Sequence, residues 1–186
     1  PNKIDVIDFS NPAAMTVIAD IDISAFGAVN SLADSEGKLA AAVEANIKQD
    51  NGRVYIYDTE SLTQLKQITV GALPDMITYN KDFTKLLTAN EGEPNDDYTI
   101  DREGSISIID ISKGISTLTQ GDVKTAGFTD FNGTTIDWKI KITGKIQAGG
   151  AFLRNSTIAE DLEPEYITVS EDSKTSWATC QENNCI

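Results

Sequence analysis

The sequence contains no histidine among its 186 residues. This excludes Ser-His-Asp and Cys-His catalysis and histidine-ligated zinc within these residues, because each of them needs an imidazole. Basic residues are also scarce: 15 Lys and Arg stand against 29 Asp and Glu, for a net charge of −14. No Lys/Arg cluster could follow a phosphate backbone, so we predict no nucleic-acid binding. No apolar run approaches the ~20 residues that a membrane-spanning helix needs, so we predict no membrane span in this segment.

One short phrase recurs three times along the chain. It starts with Lys, continues with a mostly apolar run and ends near a Glu, at 38–46 (KLAAAVEAN), 85–93 (KLLTANEGE) and 174–183 (KTSWATCQEN). The preceding segments also correspond, because LPDMITYNKDFTK (73–85) aligns with EPEYITVSEDSK (163–174). A repeat of about 40 to 50 residues composed of short strands is typical of a β-propeller blade.

The repeat predicts an all-β fold of propeller blades, each with four antiparallel strands. Alternating apolar and polar residues mark the strands, and the Asn51-Gly52 pair is a strong turn signal. We predict strands at 28–33, 38–45, 53–58 and 64–70 in one blade and at 75–80, 85–91 and 104–111 in the next. TIDWKIKI (135–142) also has a strand pattern.

These strands divide the chain into four parts. We predict leading strands at 1–26, a blade at 27–72, a blade with an insertion at 73–160, and the start of a further blade at 161–186. A propeller usually closes with about four to eight blades, so the chain is expected to be the N-terminal part of a longer propeller. A small open sheet or sandwich is the alternative.

Four phrases are similar to those of the choice-of-anchor I domain family, at 30–45, 70–101, 102–112 and 160–184. The most specific parts are ANEGEPNDDY (89–98), DLEPEYI (161–167) and QENN (181–184). Members of this family are bacterial surface and secreted proteins, and some are described as alkaline-phosphatase-like. The resemblance implies a seven-bladed, WD40-like propeller that is extracellular or on the cell surface, held there by one of several interchangeable anchors.

Three glutamates occupy corresponding places in the repeat, namely Glu44, Glu91 and Glu182. Corresponding positions of propeller blades converge on one end of the central channel, where like charges repel unless a cation compensates them. Glu93 and Asp97 add oxygen donors nearby, and calcium prefers several such oxygen ligands. The sequence therefore predicts a calcium or magnesium site formed by these five carboxylates, with calcium as the expected ion. The alternative is that each glutamate accepts hydrogen bonds from the backbone of a neighbouring blade.

Two further carboxylates, Asp75 and Glu165, follow matched prolines at the entry to the first strand of their repeats. They could face the channel as a second ring, or they could cap local N–H groups in an exposed turn. The Trp and Tyr residues are mostly at strand positions, so we expect them in the core or between blades.

Two cysteines, Cys180 and Cys185, stand where the family resemblance implies apolar residues. If the chain turns over the four residues between them, they could form a disulfide that closes a tight hairpin. An extracellular setting favours oxidation, and free thiols are the alternative. Two thiols alone do not form a zinc site, which normally needs four ligands.

Two functions are compatible with the sequence. The first is an extracellular or cell-surface propeller module with a structural or ligand-binding role, for which calcium is the expected ligand. Its partners would be the remaining blades of a longer protein or neighbouring subunits. The second is a metal-dependent phosphoesterase, for which Arg102 and Arg154 are the only candidate phosphate clamps. Whether the protein is an enzyme is left open by the residues, since no nucleophile–base pair is evident.

Overall fold

The computed structural model describes residues 2–186, which form fourteen short strands. The strands are β1 (Lys3–Asp8), β2 (Thr16–Asp22), β3 (Gly27–Ser35), β4 (Lys38–Ala45), β5 (Asn51–Asp58), β6 (Gln64–Ala72), β7 (Pro74–Tyr79), β8 (Lys85–Asn90), β9 (Ser105–Asp110), β10 (Val123–Gly127), β11 (Lys145–Ala148), β12 (Ala151–Asn155), β13 (Tyr166–Val169) and β14 (Ser176–Thr179). One short helix, α1 (Ile158–Asp161), and three 3₁₀ turns complete the described elements. The predicted all-β class is confirmed.

Eight of the strands form two four-stranded antiparallel sheets. Sheet I has the order β3-β4-β5-β6 and sheet II the order β7-β8-β9-β10, so each is a meander of consecutive strands. This is the blade architecture that the repeat predicts. The other strands pair as three hairpins: β1–β2 (the leading hairpin), β11–β12 and β13–β14 (the trailing hairpin).

The fourth strand of sheet II lies at Val123–Gly127, where it pairs with β9. The strand predicted at 135–142 is therefore wrong. The segment contains a turn instead, in which the Ile140 N–H donates to the Asp137 carbonyl at 3.0 Å. A strand needs a neighbouring strand for its backbone groups, whereas this segment bonds only to the turn that carries Asn183, where the Lys141 N–H donates to the Asn183 carbonyl at 2.9 Å. Trp138 in the same segment is 87% exposed, so the expected packing of that aromatic side chain is also wrong.

Sheet I is buried on both faces, which explains the small apolar residues of β4. Ala40 and Ala42 pack toward sheet II, in a cluster that includes Ile77, Leu86 and Ile109. On the opposite face, Ala41 packs in a cluster with Ile4 and Ile21 of the leading hairpin and with Ile23, which directly follows it. Close packing of one sheet on another leaves little room at the second strand, so alanine fits there.

The register of β4 against β5 recurs in sheet II. Lys38 lies opposite Asp58 in sheet I, and Lys85 lies opposite Asp110 in sheet II. The side chains of these pairs approach to 3.3 Å and 3.8 Å, respectively. The two sheets are thus copies of each other in pairing as well as in order.

The second face of sheet II packs on the trailing hairpin, through a cluster that contains Leu87, Ala89 and Ile167. Inside sheet II, the Asn90 side chain is fully buried and joins a polar network. It accepts a hydrogen bond from the Thr88 hydroxyl at 2.8 Å and donates to the Ser107 hydroxyl at 2.9 Å. A buried amide is tolerated when its hydrogen bonds are made, as they are here. None of the helices formed by residues 2–186 has the length and apolar character to cross a membrane.

Candidate functional site

Carboxylates from sheet I, sheet II and the trailing hairpin collect where the second strands end. Glu44 is near the end of β4, and Glu91 follows the last residue of β8, with its backbone N–H donating to the Leu73 carbonyl at 2.9 Å. Glu182 lies in the turn after β14. The antiparallel meander brings these strand ends to one side of consecutive sheets, as predicted from the repeat.

Glu91 and Glu163 are the most perturbed carboxyl groups at this end. Burial raises the pKa of Glu91 to about 8, with further contributions from Glu93, Asp75, Glu165 and Glu182. Burial also raises the pKa of Glu163 to about 8, followed by the charges of Glu182, Glu91 and Glu93. Desolvation and like charges both disfavour the ionised form, so these carboxyl groups resist ionisation at neutral pH.

Asp75 and Glu165 belong to the same acidic region. Burial raises the pKa of Asp75, with added effects of Glu93 and Glu44, and burial raises the pKa of Glu165, with added effects of Glu182 and Asp75. Neither side chain is fully exposed. Asp75 does not lie in an exposed turn, because it belongs to β7, and the prediction that the two carboxylates face a channel stays a prediction.

An acidic cleft of about 630 Å³ lies beside this region. Its walls carry six carboxylates and one basic side chain, and they comprise Glu93, Pro94, Asn95, Asp96, Tyr98, Asp101, Thr143, Gly144, Lys145, Gln147, Asp161, Glu163, Glu182 and Asn183. A concave surface with one sign of charge attracts cations and repels anions. The cleft is therefore suited to a positively charged ligand.

Asp101 is a partly buried carboxylate of the cleft wall. One oxygen, Oδ2, accepts a hydrogen bond from the Ser156 hydroxyl at 2.9 Å, whereas the buried Oδ1 has no partner in the described part of the chain. Burial raises the pKa of Asp101 to about 6, and the Ser156 hydrogen bond opposes part of that effect. An unpaired buried oxygen lowers the stability of the fold. The stability of the local fold therefore does not explain why a carboxylate stands at this position.

The loop 91–103 that carries part of the cleft is tied to sheet I. Lys48 forms an ion pair of 3.2 Å with Glu93, and the Gln49 side chain donates to the Glu93 carbonyl at 3.1 Å. Arg102 Nε donates to the Gln49 carbonyl at 2.7 Å. These three contacts connect the β4–β5 loop with both ends of the loop 91–103. They fix the position of Glu93.

Asn183 holds the other wall of the cleft. Its buried side chain accepts a hydrogen bond from the backbone N–H of Glu163 at 3.0 Å. It donates to the carbonyl oxygens of Lys141 and Asp161. The Asn183 side chain therefore connects the turn after β14 with the segment before β11 and with the end of α1. It also orients Glu163 toward the cleft.

The structure shifts the third repeat by one residue relative to the sequence alignment. Ile77 pairs with Thr88 in sheet II, and Ile167 pairs with Ala178 in the trailing hairpin. This register makes Gln181 the counterpart of Glu91, so the prediction that Glu182 holds the same position is wrong. The turns before the second strands match residue for residue. Lys174 is therefore the counterpart of Thr84, whereas the repeat phrases align it with Lys85. Glu182 still lines the cleft from the next position.

The predicted metal ligands are therefore only partly brought together. Glu93 and Glu182 line the cleft and Glu91 lies beside it, whereas the Glu44 carboxylate accepts a hydrogen bond from the Asn30 side chain at 3.2 Å. Asp97 is exposed and accepts a hydrogen bond of 3.0 Å from Thr99 in its own loop. Among residues 2–186, no three or more Asp, Glu or Cys side chains are grouped so that they could hold a metal ion.

Two functional candidates were missed by the sequence reading, namely Glu163 and Asp101. Glu163 takes the place that Leu73 has in the preceding repeat, directly before a proline. A charge where the earlier copy has an apolar residue is a signal that the sequence contained. Asp101 had no such signal, because its burial depends on the insertion that packs over it.

The two cysteines lie opposite each other. Cys180 and Cys185 form an antiparallel bridge, in which each backbone N–H donates to the carbonyl of the other at 2.9 Å and 3.2 Å. They are free thiols in this structure, and burial raises the pKa of Cys180 to about 12. The hairpin turn that the sequence predicted is present, and the disulfide stays a prediction.

The meander sheets and the acidic strand ends define a repeat-built all-β module. A family model described as the choice-of-anchor I domain matches residues 1–186, and the chain belongs to that family. Membership of this family indicates a surface-associated module. The resemblance seen in the repeat phrases is thus confirmed.

Comparisons with curated proteins and with solved structures add little to this assignment. None of the curated proteins matches the chain. Among solved structures, hydrazine synthase of Kuenenia stuttgartiensis is similar, with a TM-score of 0.48 and 16% sequence identity. The similarity covers 88% of this chain and 32% of that chain, so this chain spans only that fraction of the larger protein.

Proposed function

We propose that this chain is a surface-associated binding module whose acidic cleft takes up a divalent cation, with calcium as the expected ion. The observation that carries the proposal is the pair of Glu91, directly after β8, and Glu163, in the segment between α1 and β13. Burial and neighbouring carboxylates raise the pKa of each to about 8. Such an arrangement is unfavourable when the groups ionise, unless a positive charge compensates them.

Calcium fits the chemistry of the donors. The cleft offers carboxylate and amide oxygens, which are the ligands that hard cations prefer, and it offers no imidazole. The carboxylates are spread around the cleft rather than grouped in coordination geometry. The proposal therefore has the ion held by the joint field of several carboxylates and partly through water molecules, which calcium sites commonly retain.

A phosphoesterase activity receives no comparable support. Arg154 forms a two-pronged ion pair with Glu160, at 2.7 Å for each contact, and Arg102 donates to the Gln49 carbonyl. Both candidate clamps for a phosphate group are thus engaged with the protein. The acidic cleft would also repel a phosphate ester in the absence of bound cations.

The test is a calcium titration of thermal stability at pH 8, where the carboxyl groups can ionise. A ligand that binds only the folded state raises the melting temperature, and the rise continues with the logarithm of the ligand concentration. We expect calcium chloride to raise the melting temperature more than sodium chloride at equal ionic strength. The double variant Glu91→Gln, Glu163→Gln should lose that difference, because it removes two of the carboxylates.

The matched control is Glu60→Gln, which changes an exposed glutamate in the β5–β6 turn. This control should respond to calcium as the original chain does. Equal melting temperatures in calcium and in sodium, or a calcium effect that the double variant retains, would contradict the proposed site. Calorimetric titration with calcium alone provides an independent readout of binding.

A further inference from the structure

The two cysteines close a turn whose ends meet in a single pair of residues. Strand β14 ends at Thr179, and the next residue, Cys180, forms an isolated bridge with Cys185. The two residues exchange both backbone hydrogen bonds, at 2.9 Å and 3.2 Å. In such a pair the Cα atoms are about 5.5 Å apart, within the range of about 4.4 to 6.8 Å that a disulfide spans. The backbone is therefore already placed for a disulfide.

The two thiols are unequal in their access to solvent. Cys180 is 4% exposed, whereas Cys185 is only partly buried. Burial raises the pKa of Cys180 to about 12, and the neighbouring Cys185 is the next cause, so the two thiols already interact in the reduced chain. Cys185 is the sulfur that an oxidant reaches first.

The turn between the cysteines supports the wall of the acidic cleft that the insertion forms. The Asn183 carbonyl accepts the N–H of Lys141 at 2.9 Å, and the Asn183 side chain donates to the Lys141 carbonyl at 3.0 Å. The Asn184 side chain donates to the Lys139 carbonyl at 3.2 Å. The chain then continues into 143–145, which lines the cleft. The position of this wall therefore depends on the turn.

Two carboxylates of the cleft depend on the same turn. Glu182 belongs to it and lines the cleft. The backbone N–H of Glu163, on the opposite side of the sequence repeat, donates to the Asn183 side chain at 3.0 Å. A displacement of Asn183 would thus move Glu182 and release Glu163 together.

Few contacts keep this turn closed in the reduced chain. Besides the cysteine bridge, the Asn184 N–H donates to the Gln181 carbonyl at 3.1 Å. Asn184 has a φ of 59°, a left-handed conformation that is uncommon for residues other than glycine. Gln181 and Glu182 are exposed. Segments with few buried contacts open locally at a low cost in free energy, so we expect the turn to open more readily than the sheets.

We propose that Cys180 and Cys185 are a redox-modification site, and that a disulfide between them raises the cation affinity of the acidic cleft by clamping the turn that supports its walls. The inference rests on the proposed function, because the cation is the ligand named there. A site that is ordered in advance loses less conformational entropy when its ligand binds. The oxidised chain therefore binds the cation more tightly than the reduced chain.

The oxidation is a thiol–disulfide exchange with a small-molecule disulfide such as oxidised glutathione. The Cys185 thiolate attacks one sulfur of the oxidant and displaces the other half, which leaves a mixed disulfide. The Cys180 thiolate then attacks the Cys185 sulfur and displaces the second half. One S–S bond forms in the chain and one breaks in the oxidant. The oxidant takes up the two electrons that the cysteines lose, and the two cysteine protons end on the two released thiols.

The coupling between the thiols and the cation acts in both directions. If the disulfide raises the calcium affinity threefold, saturating calcium favours the disulfide over the two thiols threefold as well. For a two-electron couple a tenfold change corresponds to about 30 mV, so a threefold change corresponds to about 14 mV. Calcium therefore lowers the reduction potential of the cysteine pair.

The test combines calorimetric titration with calcium chloride and equilibration of the full chain in glutathione buffers. We expect the oxidised chain to bind calcium at least threefold more tightly than the reduced chain. The reduction potential should be lower by at least about 14 mV in calcium than in sodium at equal ionic strength. Hydrogen exchange of the Lys141 and Glu163 amides, which both bind Asn183, should be slower in the oxidised chain even without calcium.

Three variants separate the clamp from the cation site. Cys185→Ser should bind calcium as the reduced chain does, in oxidising and in reducing buffers. Asn183→Ala keeps both cysteines but removes the side chain that connects the turn with Glu163, so its disulfide should no longer change the calcium affinity. Gln181→Ala is the matched control, since Gln181 is exposed in the same turn, and it should keep the threefold difference.

The possible failures of the two proposals differ. Equal calcium affinities of the oxidised and reduced chain would overturn the clamp and leave the calcium site standing. Absence of calcium binding in both redox states would overturn the cation site and the coupling together. Full retention of the difference in Asn183→Ala would show that the turn does not act through this side chain, and would also overturn the clamp. If Asn183→Ala does not fold, the affinities and amide exchange of the original chain in its two redox states decide.

Discussion

Glu91 and Glu163 are held close enough at the ends of neighbouring sheets that the charge of Glu91 helps to raise the pKa of Glu163. Burial is the largest cause for both groups, and each reaches a pKa of about 8. The pair is the centre of the acidic region, and it links the stability of the fold to pH and to cations.

The first prediction is that the free energy of unfolding falls as pH rises from about 5 to 8.5. In the folded state these carboxyl groups keep their protons up to a pKa of about 8, whereas in the unfolded chain they lose them near the ordinary glutamate pKa of 4.5. The folded state therefore binds more protons in this window, so stability decreases with increasing pH. The stabilising contribution is complete below the unfolded pKa and is lost as pH passes the folded pKa.

Denaturant unfolding at several pH values measures this effect. Glu91→Gln together with Glu163→Gln should flatten the pH dependence, and Glu60→Gln should preserve it. Groups with a lowered pKa do not obscure the result, because Asp58 and Glu160 titrate at about 2 in the folded state and act at lower pH. A pH dependence that the double variant shares with the original chain would show that other groups cause it.

The second prediction concerns Gly104, which lies just before β9. A Cβ atom at this position would come within 1.9 Å of the Leu162 carbonyl oxygen and 2.7 Å of the Pro164 ring. Gly104→Ala should therefore destabilise the fold by about 1 to 3 kcal/mol, as overpacking against backbone does. Thermal or denaturant unfolding provides the measurement.

Gly127→Ala is the control for that substitution. Gly127 lies at the end of β10, and a Cβ atom there meets nothing within 4 Å. This variant should stay within about 0.5 kcal/mol of the original chain, as surface substitutions usually do. Equal stability of the two variants would mean that α1 and its flanking turn move away from Gly104 without loss.

The third prediction concerns Cys180 and Cys185. Their opposed positions in an antiparallel bridge allow a disulfide after a small side-chain adjustment. We expect slow oxidation of the folded chain at neutral pH, because burial raises the pKa of Cys180 to about 12 and the thiolate is the reactive form. The oxidised chain should gain roughly 2 kcal/mol of stability from closing this short loop.

Thiol titration and intact mass after exposure to an oxidant measure the outcome. Cys185→Ser should keep one free thiol and gain no stability under the same conditions. Persistence of both thiols in the folded chain, under conditions that oxidise the unfolded chain completely, would rule out the disulfide.

Strand positions and turns were predictable because they depend on local pattern. Alternation in RVYIYD and SISIID and the repeat itself were enough to place sheet I and most of sheet II. The turn predicted at Asn51-Gly52 is wrong by a few residues, because Asn51 and Gly52 already belong to β5 and the turn is closed by the Asp50 N–H donating to the Ile47 carbonyl at 2.8 Å. The segment at 135–142 has the same alternation but no neighbouring strand. Pattern alone therefore could not distinguish it from β10, whose sequence is less regular.

The sequence by itself determined the all-β class, the repeated sheet and the side of the sheets where the acidic residues collect, because strand period and repeat phase are properties of the chain. Only the tertiary structure decided which carboxylates share one environment. Glu163 and Asp101 are perturbed because other segments exclude water around them, and Asp97 remains solvated in a loop of the same composition. The one-residue shift that puts Gln181 at the position of Glu91 has the same origin, because backbone pairing between strands, and not similarity between phrases, sets the register.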